Sequence, residues 1–465
     1  MMANHFDRLV KTTLPFGFLA FAMLPAAPSL AGSLVLVGGN WAYPGVGGDA
    51  EPYGVSIYEE VINLAGGADS ASIGIFTTAS SASSAPGNGA LYVEDFQALY
   101  PDIDVEWIPF TIGNCEGLKN DASFAATLSG KTGFVFGGGD QSRITDCFFD
   151  QDPIAGTRTN SLVFDALEAA YQGGAVVAGT SAGTTVQAAE PMITEGQTYE
   201  ALVYDPISLI DIPPIADELY YNPLGGFGFF NYGLLDTHFS QWGRQGRIIR
   251  LAAETGKELT FGVDENTALI VSNPDTPEVS FTVLGEGGVF ISDLGEATVG
   301  EKNGYWTISD VQATYLTEGD QYNPLTQTAT VAPSKSSIAG LEELASVPVE
   351  EDIFSSLKPE PPPDVDGRAN ERALTETAIA LVNSKATQAF GVSYETEPVQ
   401  YGVLLTKPGD VAGFIGLDNQ GAEKISFQNL NLAIAPVPEP GSVLGFLGMG
   451  LAGIGVWKKR QRSHS

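Results

Sequence analysis

The sequence is poor in the side chains that usually serve as bases, metal ligands or cations. It contains three histidines and two cysteines in 465 residues, and 22 lysines and arginines against 56 aspartates and glutamates. The resulting net charge of −34 disfavours nucleic acid and anionic lipid as partners, because both would be repelled. No Cys-x-x-Cys motif or Cys/His cluster is present, so we expect no metal site and no cofactor.

Hydrophobic side chains, in contrast, are plentiful enough to build a core. They make up 43% of the chain, and aromatic residues make up 10%. Short apolar strands alternate with amphipathic helices from residue 33 onward, which predicts an α/β fold with a mostly parallel sheet covered by helices on both faces. After about residue 270, glycine-bearing alternating runs predict antiparallel strands that cap this domain.

We divide the chain into five segments on composition and pattern. Residues 1–31 are a predicted signal peptide, and residues 32–330 form the main domain. An extension with a proline-rich linker follows over 331–367. Residues 368–436 form a small C-terminal module whose role the sequence does not reveal, and residues 437–465 form a second targeting segment.

The two terminal segments indicate export. At the N-terminus, Arg8 and Lys11 precede an apolar stretch that ends in small residues, and we expect a signal peptidase to cut after Ala31. At the C-terminus, Val-Pro-Glu-Pro precedes an apolar run and a basic tail, which resembles a PEP-CTERM sorting signal. This resemblance implies processing by an exosortase and a place in the cell envelope or outside it. The apolar run would anchor the chain in the membrane before processing, and a simple C-terminal anchor would give nearly the same location.

Export also bears on the two cysteines. In an oxidising compartment, two cysteines in one domain usually pair, so we predict a disulfide between Cys115 and Cys147.

The segment Gly-Thr-Ser-Ala-Gly, residues 179–183, follows an apolar run and matches the pattern of a nucleophile elbow. An ordinary tight turn fits the same letters, because glycine and serine are common here. A serine nucleophile needs an imidazole base, and His238 is the only histidine between residues 32 and 436. Like the serine, it follows an apolar run, which favours a shared site over a lone structural histidine.

A third group has to orient the imidazole. Glu265 lies in another turn after an apolar run, although a solvated acidic turn explains it equally well. In α/β-hydrolases the acid lies between serine and histidine in the sequence, where Asp205, Asp211 and Asp217 are available here. Sequence order alone leaves both arrangements open.

Four segments, FGGGDQSRI, GTSAG, DTHFSQWGRQGRIIRL and GVDENTAL, have the order and approximate spacing found in cyanophycinases. Residues 33–330 therefore resemble this group of serine peptidases, to which peptidase E also belongs. The resemblance implies a fold like that of class I glutamine amidotransferases (flavodoxin-like) and a homodimer. It also implies exopeptidase hydrolysis of cyanophycin, an arginyl-poly-aspartate, to β-Asp-Arg dipeptides through an acyl-enzyme.

The same resemblance implies roles for single residues. Ser181 is the expected nucleophile, His238 the acid and base, and Glu265 the orienting carboxylate. Backbone N–H groups of Ala182 and of Gly138 or Gly139 are the expected oxyanion hole. The residues expected to bind substrate are Gln141, Asp236, which would face the cationic side chain of the substrate, and Arg244 and Arg247, which would bind its carboxylates.

Two positions depart from the cyanophycinase pattern. Thr237 replaces a glutamine, and Trp242 replaces the first arginine of a series. We expect these changes to weaken carboxylate recognition or to reshape the pocket around an aromatic wall. Two alternatives therefore accompany the cyanophycinase hypothesis: an envelope dipeptidase for aspartyl peptides, similar to peptidase E, and a non-catalytic surface or matrix protein that retains the fold.

Overall fold

The computed structural model describes residues 31–41, 51–152, 154–208, 217–356 and 370–437. The predicted signal peptide before Ala31, most of the proline-rich linker and the sorting signal beyond Val437 lie outside these ranges. Within them, strands and helices alternate up to about residue 260, and strands predominate afterwards.

The elements up to residue 208 are β1 (Leu34–Val37), α1 (Pro52–Leu64), β2 (Ser72–Phe76), α2 (Ala85–Leu99), β3 (Asp104–Trp107), α3 (Cys115–Leu118), α4 (Ala122–Ala126), β4 (Gly133–Phe136), α5 (Gln141–Phe148), β5 (Phe149–Asp152), β6 (Thr157–Asn160), α6 (Leu162–Gln172), β7 (Val176–Thr180), α7 (Ala182–Thr185), β8 (Met192–Glu195), α8 (Thr198–Val203) and β9 (Ile207–Ser208). The elements that follow are β10 (Tyr220–Asn222), β11 (Leu234–Asp236), α9 (Gln245–Thr255), β12 (Leu259–Val263), β13 (Thr267–Ser272), β14 (Ser280–Gly285), β15 (Gly288–Asp293), β16 (Thr298–Lys302), β17 (Tyr305–Thr317), β18 (Gln321–Asn323), β19 (Thr328–Thr330), β20 (Lys335–Ser337), α10 (Ala373–Val382), β21 (Gln388–Val392), β22 (Tyr401–Thr406), β23 (Ala412–Leu417) and β24 (Glu423–Pro436).

The central sheet has the strand order β19-β18-β14-β13-β1-β7-β4-β2-β3. Strands β1, β7, β4, β2 and β3 are parallel, whereas β13, β14, β18 and β19 extend the sheet through antiparallel pairs. The predicted α/β class is confirmed, but parallel pairing is limited to one half of this sheet. The reason is that β13 and β14, like β18 and β19, are joined by short loops, which place consecutive strands side by side in opposite directions.

Burial on both faces explains why the parallel strands are continuously apolar. Leu34 and Leu36 of β1 belong to the core on one face, whereas Val35 and Val37 belong to the core on the other. Helix α6 packs residues of its apolar stripe into the first core, and α1 packs its own into the second. The carboxyl ends of β1, β4 and β7 therefore meet at one edge, where sites in such sheets usually lie.

A second sheet runs in the order β11-β12-β15-β17-β24-β22-β21, and β16, β20 and β23 join it at the side. Strands β11 and β12 pair in parallel, and the remaining pairs are antiparallel. Its core contains buried aromatic and aliphatic side chains, among them Phe290, Tyr315 and Phe427. Helices α8, α9 and α10 contribute residues to the same core.

The residues of the predicted C-terminal module are part of this second sheet. Strand β24 pairs with β17 in a register that places Val311 opposite Leu432 and Ile308 opposite Ile434. All four of these side chains are buried in one core, together with Leu374 of α10. The segment after residue 370 thus belongs to the same sheet as β11 and β12, the strands that precede His238 and Glu265.

Cys115 and Cys147 are joined by a disulfide. Both residues are buried in the core under the central sheet, and the bond connects α3 to α5. Helix α5 begins directly after the loop that contains Gly138 and Gly139, so the disulfide tethers the helix that follows this loop.

Candidate active site

Ser181 occupies a strained turn between β7 and α7. Its φ of 53° and ψ of −118° lie in a region that residues with a side chain rarely adopt. The flanking glycines are required by close packing: a Cβ at Gly179 would lie 2.1 Å from the carbonyl oxygen of Gly183. A Cβ at Gly183 would lie 2.0 Å from the carbonyl oxygen of Phe136 in β4. The pattern of glycines therefore reports a sharp strand-to-helix turn pressed against the neighbouring strand.

Hydrogen bonds to the end of β1 hold this turn in place. The backbone N–H of Ser181 donates to the carbonyl oxygen of Val37 at 3.1 Å. The Thr184 hydroxyl lies 2.7 Å from the same oxygen and 2.6 Å from the carbonyl oxygen of Gly179. The strained conformation is thus fixed by the surrounding structure, as is typical of functional turns.

His238 lies beside this serine. The distance from its Nε2 to Ser181 Oγ is 2.8 Å, and the distance from its Nδ1 to Glu265 Oε1 is 2.6 Å. The histidine follows β11 and also has a positive φ, of 49°, while its backbone N–H donates to the Gly38 carbonyl oxygen. A neutral imidazole in this position, with Nδ1–H donating to the glutamate, presents Nε2 as an acceptor to the serine hydroxyl.

The carboxylate at the imidazole is Glu265 rather than one of the aspartates between the serine and the histidine. Asp205 forms an ion pair with Arg250, at 2.7 Å. Asp217 accepts a hydrogen bond through its backbone carbonyl from Gln197, and Asp211 lies outside the described residues. Within the described part of the chain, the acid therefore follows the histidine in sequence, unlike the order in α/β-hydrolases.

Two neighbours confine the imidazole ring, and sequence reasoning assigned neither this task. The Trp242 ring stacks on it, with centroids 4.5 Å apart and planes inclined by 21°. On the loop after β1, a Cβ at Gly39 would lie 2.2 Å from His238 Cε1, so only glycine fits there. The Gly-Gly pair directly after the first predicted strand was the available sequence signal for such a close approach.

Burial sets the protonation of this histidine. Desolvation lowers the pKa of His238 below its usual value of 6.5, and the positive charge of Arg244 lowers it further. The hydrogen bond and the charge of Glu265 act in the opposite direction but do not reverse the shift. The imidazole is therefore neutral at neutral pH, as a general base has to be.

This shift predicts the acid limb of the pH profile. If His238 is the base, kcat/KM should fall as the pH is lowered through the pKa of the free enzyme, with a midpoint below 6.5. Initial rates measured between pH 4 and 8, together with an NMR titration of the imidazole, give this midpoint. An NMR midpoint above 6.5, or one that differs from the kinetic midpoint, contradicts the assignment.

Gly138 and Gly139 border the serine from the end of β4. A Cβ at Gly138 would lie 3.4 Å from Ser181 Cβ and 3.9 Å from its Oγ. Gly139 has a φ of 141°, and a Cβ there would lie 2.3 Å from the Ala79 carbonyl oxygen. Among the described residues, the backbone N–H groups of Gly138, Gly139 and Ala182 donate to no other residue. They are thus available as donors beside Ser181.

Asp236 and Arg247 bind each other beneath the site. Both are buried, and the two side chains form a bidentate pair with distances of 2.6 and 2.8 Å. Burial alone would raise the pKa of the Asp236 carboxyl, but the charges of Arg247 and Arg244 hold it below its usual value. The expected contacts of Asp236 with a cationic substrate and of Arg247 with a substrate carboxylate stay predictions, and in this structure the two groups bind each other.

The other two expected substrate contacts lie closer to the surface. Arg244 donates to the Thr237 carbonyl oxygen at 2.6 Å, and its guanidinium lies 4.5 Å from the centroid of the Trp242 ring. Gln141 donates through Nε2 to the carbonyl oxygens of Ile193 and Thr194, both at 2.9 Å. The side-chain oxygen of Gln141 is thus the atom that is left to contact a substrate.

Both departures from the family pattern have structural places. Thr237 is buried, with its hydroxyl 3.5 Å from that of Thr185 in the elbow helix. The Trp242 ring stacks on the imidazole and also lies within cation–π distance of the Arg244 guanidinium. The predicted aromatic wall stays a prediction, and the threonine is buried.

Asp264, the neighbour of Glu265, connects the candidate site to the C-terminal segment. Its buried carboxylate accepts from Arg372 at 2.7 Å and from the Tyr315 hydroxyl at 2.6 Å. It also accepts from the backbone N–H of Ser240, two residues after the histidine, at 2.9 Å. The two adjacent carboxylates thus have different tasks: Glu265 faces the imidazole, and Asp264 fixes both turns.

Replacing Arg372 with methionine should therefore destabilise the fold. Removing one partner of a buried ion pair leaves the other charge unpaired, and with 23% of the Arg372 side chain exposed we expect a loss of about 2–3 kcal/mol. Denaturant titration measures this change in the free energy of unfolding. Glu376→Gln is the matched control, because it removes the exposed ion pair of Arg372 and leaves Asp264 bound. Equal losses in the two variants contradict the assigned role.

The last residues of the chain match the model of a known sorting signal. Residues 436–461 match the PEP-CTERM protein-sorting motif, as the sequence predicted. This motif implies export and sorting to the cell envelope. In the described ranges, no helix has the length and apolar character needed to cross a membrane.

The main domain also has named relatives. The chain is 28% identical over 282 residues to the cyanophycinases of Synechococcus elongatus and Thermosynechococcus vestitus, an alignment that covers 60% of this chain and 77% of each relative. It is 28% identical over 205 residues to the cyanophycinase of Trichormus variabilis, covering 43% of this chain and 59% of that protein. The chain is thus similar in sequence to cyanophycinases. Among solved structures, a peptidase from an acI-B1 actinobacterium aligns with a TM-score of 0.39 and 17% identity, over 57% of this chain and 91% of that one.

Proposed function

We propose that the protein is an exported serine exopeptidase that hydrolyses cyanophycin to β-Asp-Arg dipeptides. The observation that carries this proposal is the hydrogen-bonded series Ser181–His238–Glu265, in a chain homologous to cyanophycinases. Peptidase activity also agrees with the PEP-CTERM motif, since an exported hydrolase meets polymers outside the cell.

Backbone strain supports catalysis over a simple turn. A non-glycine residue in the conformation of Ser181 costs on the order of 1–3 kcal/mol, and a turn without a function would use glycine there. His238, its hydrogen-bond partner, also has a positive φ. Two strained residues in contact are expected where the chemistry requires both side chains in one place.

In the proposed acylation, Ser181 Oγ attacks the carbonyl carbon of the scissile amide while its proton passes to His238 Nε2. The new C–O bond places negative charge on the carbonyl oxygen, and the N–H groups of Ala182 and of Gly138 or Gly139 would stabilise it. Such donors typically contribute about 2.7–4 kcal/mol each. The C–N bond then breaks, and the imidazolium gives its proton to the leaving amine.

Deacylation reverses these roles. A water molecule attacks the acyl-ester carbon and gives one proton to His238 Nε2. The C–O bond to Ser181 breaks, and the imidazolium returns the proton to the serine oxygen. Glu265 stays ionised throughout, holds the ring through Nδ1–H and stabilises each imidazolium intermediate.

The proposed architecture is that of class I glutamine amidotransferases, in which a strand-end nucleophile lies at the carboxyl edge of a parallel sheet. The parallel half of the central sheet and the position of Ser181 after β7 support it. The net charge of −34 favours a substrate that carries guanidinium groups.

One observation favours a second candidate, an envelope dipeptidase for aspartyl peptides. Asp236, which would face the substrate cation in the cyanophycinase assignment, is closed off by Arg247. If no other group takes its place, arginine side chains are not selected, and short acidic peptides become the better substrates.

The deciding experiment supplies the purified protein with cyanophycin and, separately, with aspartyl dipeptides. Release of β-Asp-Arg from the polymer, detected by mass spectrometry, supports the first proposal. Cleavage of aspartyl dipeptides without release from cyanophycin selects the second candidate. Hydrolysis of neither, together with no labelling of Ser181 by a fluorophosphonate, refutes both.

A further inference from the structure

A cavity of about 200 Å³ opens beside the candidate nucleophile. It lies between the end of β1 and helices α1 and α2, and Gly138 forms part of its lining. Because a Cβ at Gly138 would lie only 3.4 Å from Ser181 Cβ, the cavity and the serine share one wall. Its volume is below the usual range for a whole small-molecule ligand and suits a single side chain.

The cavity contains a buried carboxylate with unused hydrogen-bonding capacity. Asp95 of α2 is 2% exposed, and its Oδ2 accepts from the Tyr58 hydroxyl at 2.9 Å. Its Oδ1 is buried and has no partner among the described residues. Burial raises the pKa of this carboxyl to about 6, although the Tyr58 hydroxyl lowers it. A buried acceptor without a partner is costly, which indicates that a ligand completes this site.

The walls of the cavity are aromatic. The Trp41 ring stacks on that of Tyr58 with centroids 4.1 Å apart, and the Tyr92 ring lies 6.4 Å from that of Trp41. Both tyrosines and the tryptophan line the cavity, and no lysine or arginine of the described chain does. A planar guanidinium is the cation that such a site suits best, because it stacks on aromatic faces and donates to a carboxylate in one plane.

We propose that this cavity binds the guanidinium of an arginine side chain of the substrate, with Asp95 as its counter-ion and Trp41 as its stacking wall. This inference rests on the proposed function and names the group that selects arginine. It also resolves the difficulty at Asp236, whose carboxylate Arg247 occupies. The arginine that is attached to the aspartate at the scissile bond would then lie in the cavity, while the backbone carbonyl of that aspartate reaches Ser181.

Binding can be measured without hydrolysis. The probes are Nα-acetyl-arginine amide and Nα-acetyl-citrulline amide, which have nearly the same shape and differ in charge. Isothermal titration uses the full chain with Ser181→Ala, so that neither probe is consumed. We expect the arginine probe to bind roughly 10–100-fold more tightly, as charge-assisted hydrogen bonds to a buried carboxylate provide.

Asp95→Asn in the same background should reduce this preference to nearly one. Trp41→Leu should lower it several-fold through loss of stacking, and it provides a second test if Asp95→Asn fails to fold. The matched control is Asp352→Asn, which removes another buried carboxylate, one that accepts from the Ser356 backbone outside the cavity. Equal binding of both probes by the parent protein, or an arginine preference retained in Asp95→Asn, overturns the inference.

The cyanophycin assay separates this result from the proposed function. If the protein prefers the arginine probe through Asp95 but hydrolyses neither cyanophycin nor aspartyl dipeptides, the proposed binding site stands and the proposed peptidase activity is rejected. The opposite outcome is hydrolysis of cyanophycin in which Asp95→Asn leaves unchanged the ratio of kcat/KM for arginine-bearing over citrulline-bearing substrate. That result supports the peptidase and rejects the binding site.

Discussion

Ser181→Ala should lower the hydrolysis of cyanophycin by at least about 10⁴-fold while the protein stays folded. In the proposed mechanism the serine oxygen forms the covalent bond, and the alanine variant retains only the rate that binding and oxyanion donors provide. The residual activity of the variant should therefore be close to the detection limit of a dipeptide-release assay. Mass spectrometry of the products and fluorophosphonate labelling measure the two consequences separately.

Stability separates a catalytic role from a structural one at this position. Alanine keeps the Cβ and therefore the same strained φ and ψ, so we expect the free energy of unfolding to change by less than about 1 kcal/mol. Ser142→Ala is a matched control at the start of α5, near the same edge of the sheet, and should keep full activity. If Ser181→Ala retains a tenth or more of the wild-type rate, Ser181 is not the nucleophile.

The sequence singled out Ser181 and His238, but it left the acid open among several carboxylates, and only the resemblance to cyanophycinases selected Glu265. One histidine lies between the targeting segments, and the serine and the glutamate each follow an apolar run, as it does. Ser181 follows β7 of the central sheet, whereas His238 and Glu265 follow β11 and β12, the parallel pair of the second sheet, and the three side chains lie within hydrogen-bond distance where the two sheets meet. Their catalytic roles remain a prediction.

Other parts of the site depend on contacts that no local pattern reports. Asp236 ends β11 and Arg247 lies in the first turn of α9, and only the packing of α9 against β11 determines that they face each other. Likewise, Trp41 and Asp95 lie on separate elements, and the cavity between them exists only because α1 and α2 pack on the same face of the sheet.

The C-terminal segment shows the same limit on a larger scale. The sequence did not predict which strands this segment pairs with. Strand β24 pairs with β17, more than a hundred residues away, because both present alternating apolar side chains to one core. The proline-rich stretch suggested a boundary, whereas Arg372 directly beyond it binds Asp264 beside the candidate site.

Glu265→Gln should lower kcat by roughly 10³–10⁴-fold, the second-largest effect that the geometry implies. Glutamine keeps the size of the side chain but removes the charge that stabilises the imidazolium, and its amide group can donate to Nδ1 and so favour the wrong tautomer. Rates of dipeptide release, measured at saturating cyanophycin, give this change.

A titration distinguishes this orienting role from a merely structural one. Because the hydrogen bond and the charge of Glu265 raise the pKa of His238, removing them should move that pKa still lower, and the acid limb of kcat/KM should follow. Glu286→Gln is the matched control, since Glu286 accepts from Asn266, the neighbour of Glu265, and does not contact the imidazole. An unchanged imidazole pKa in Glu265→Gln, or an equal loss of kcat in both variants, assigns the loss to the packing of the turn and rejects Glu265 as the partner of His238 in catalysis.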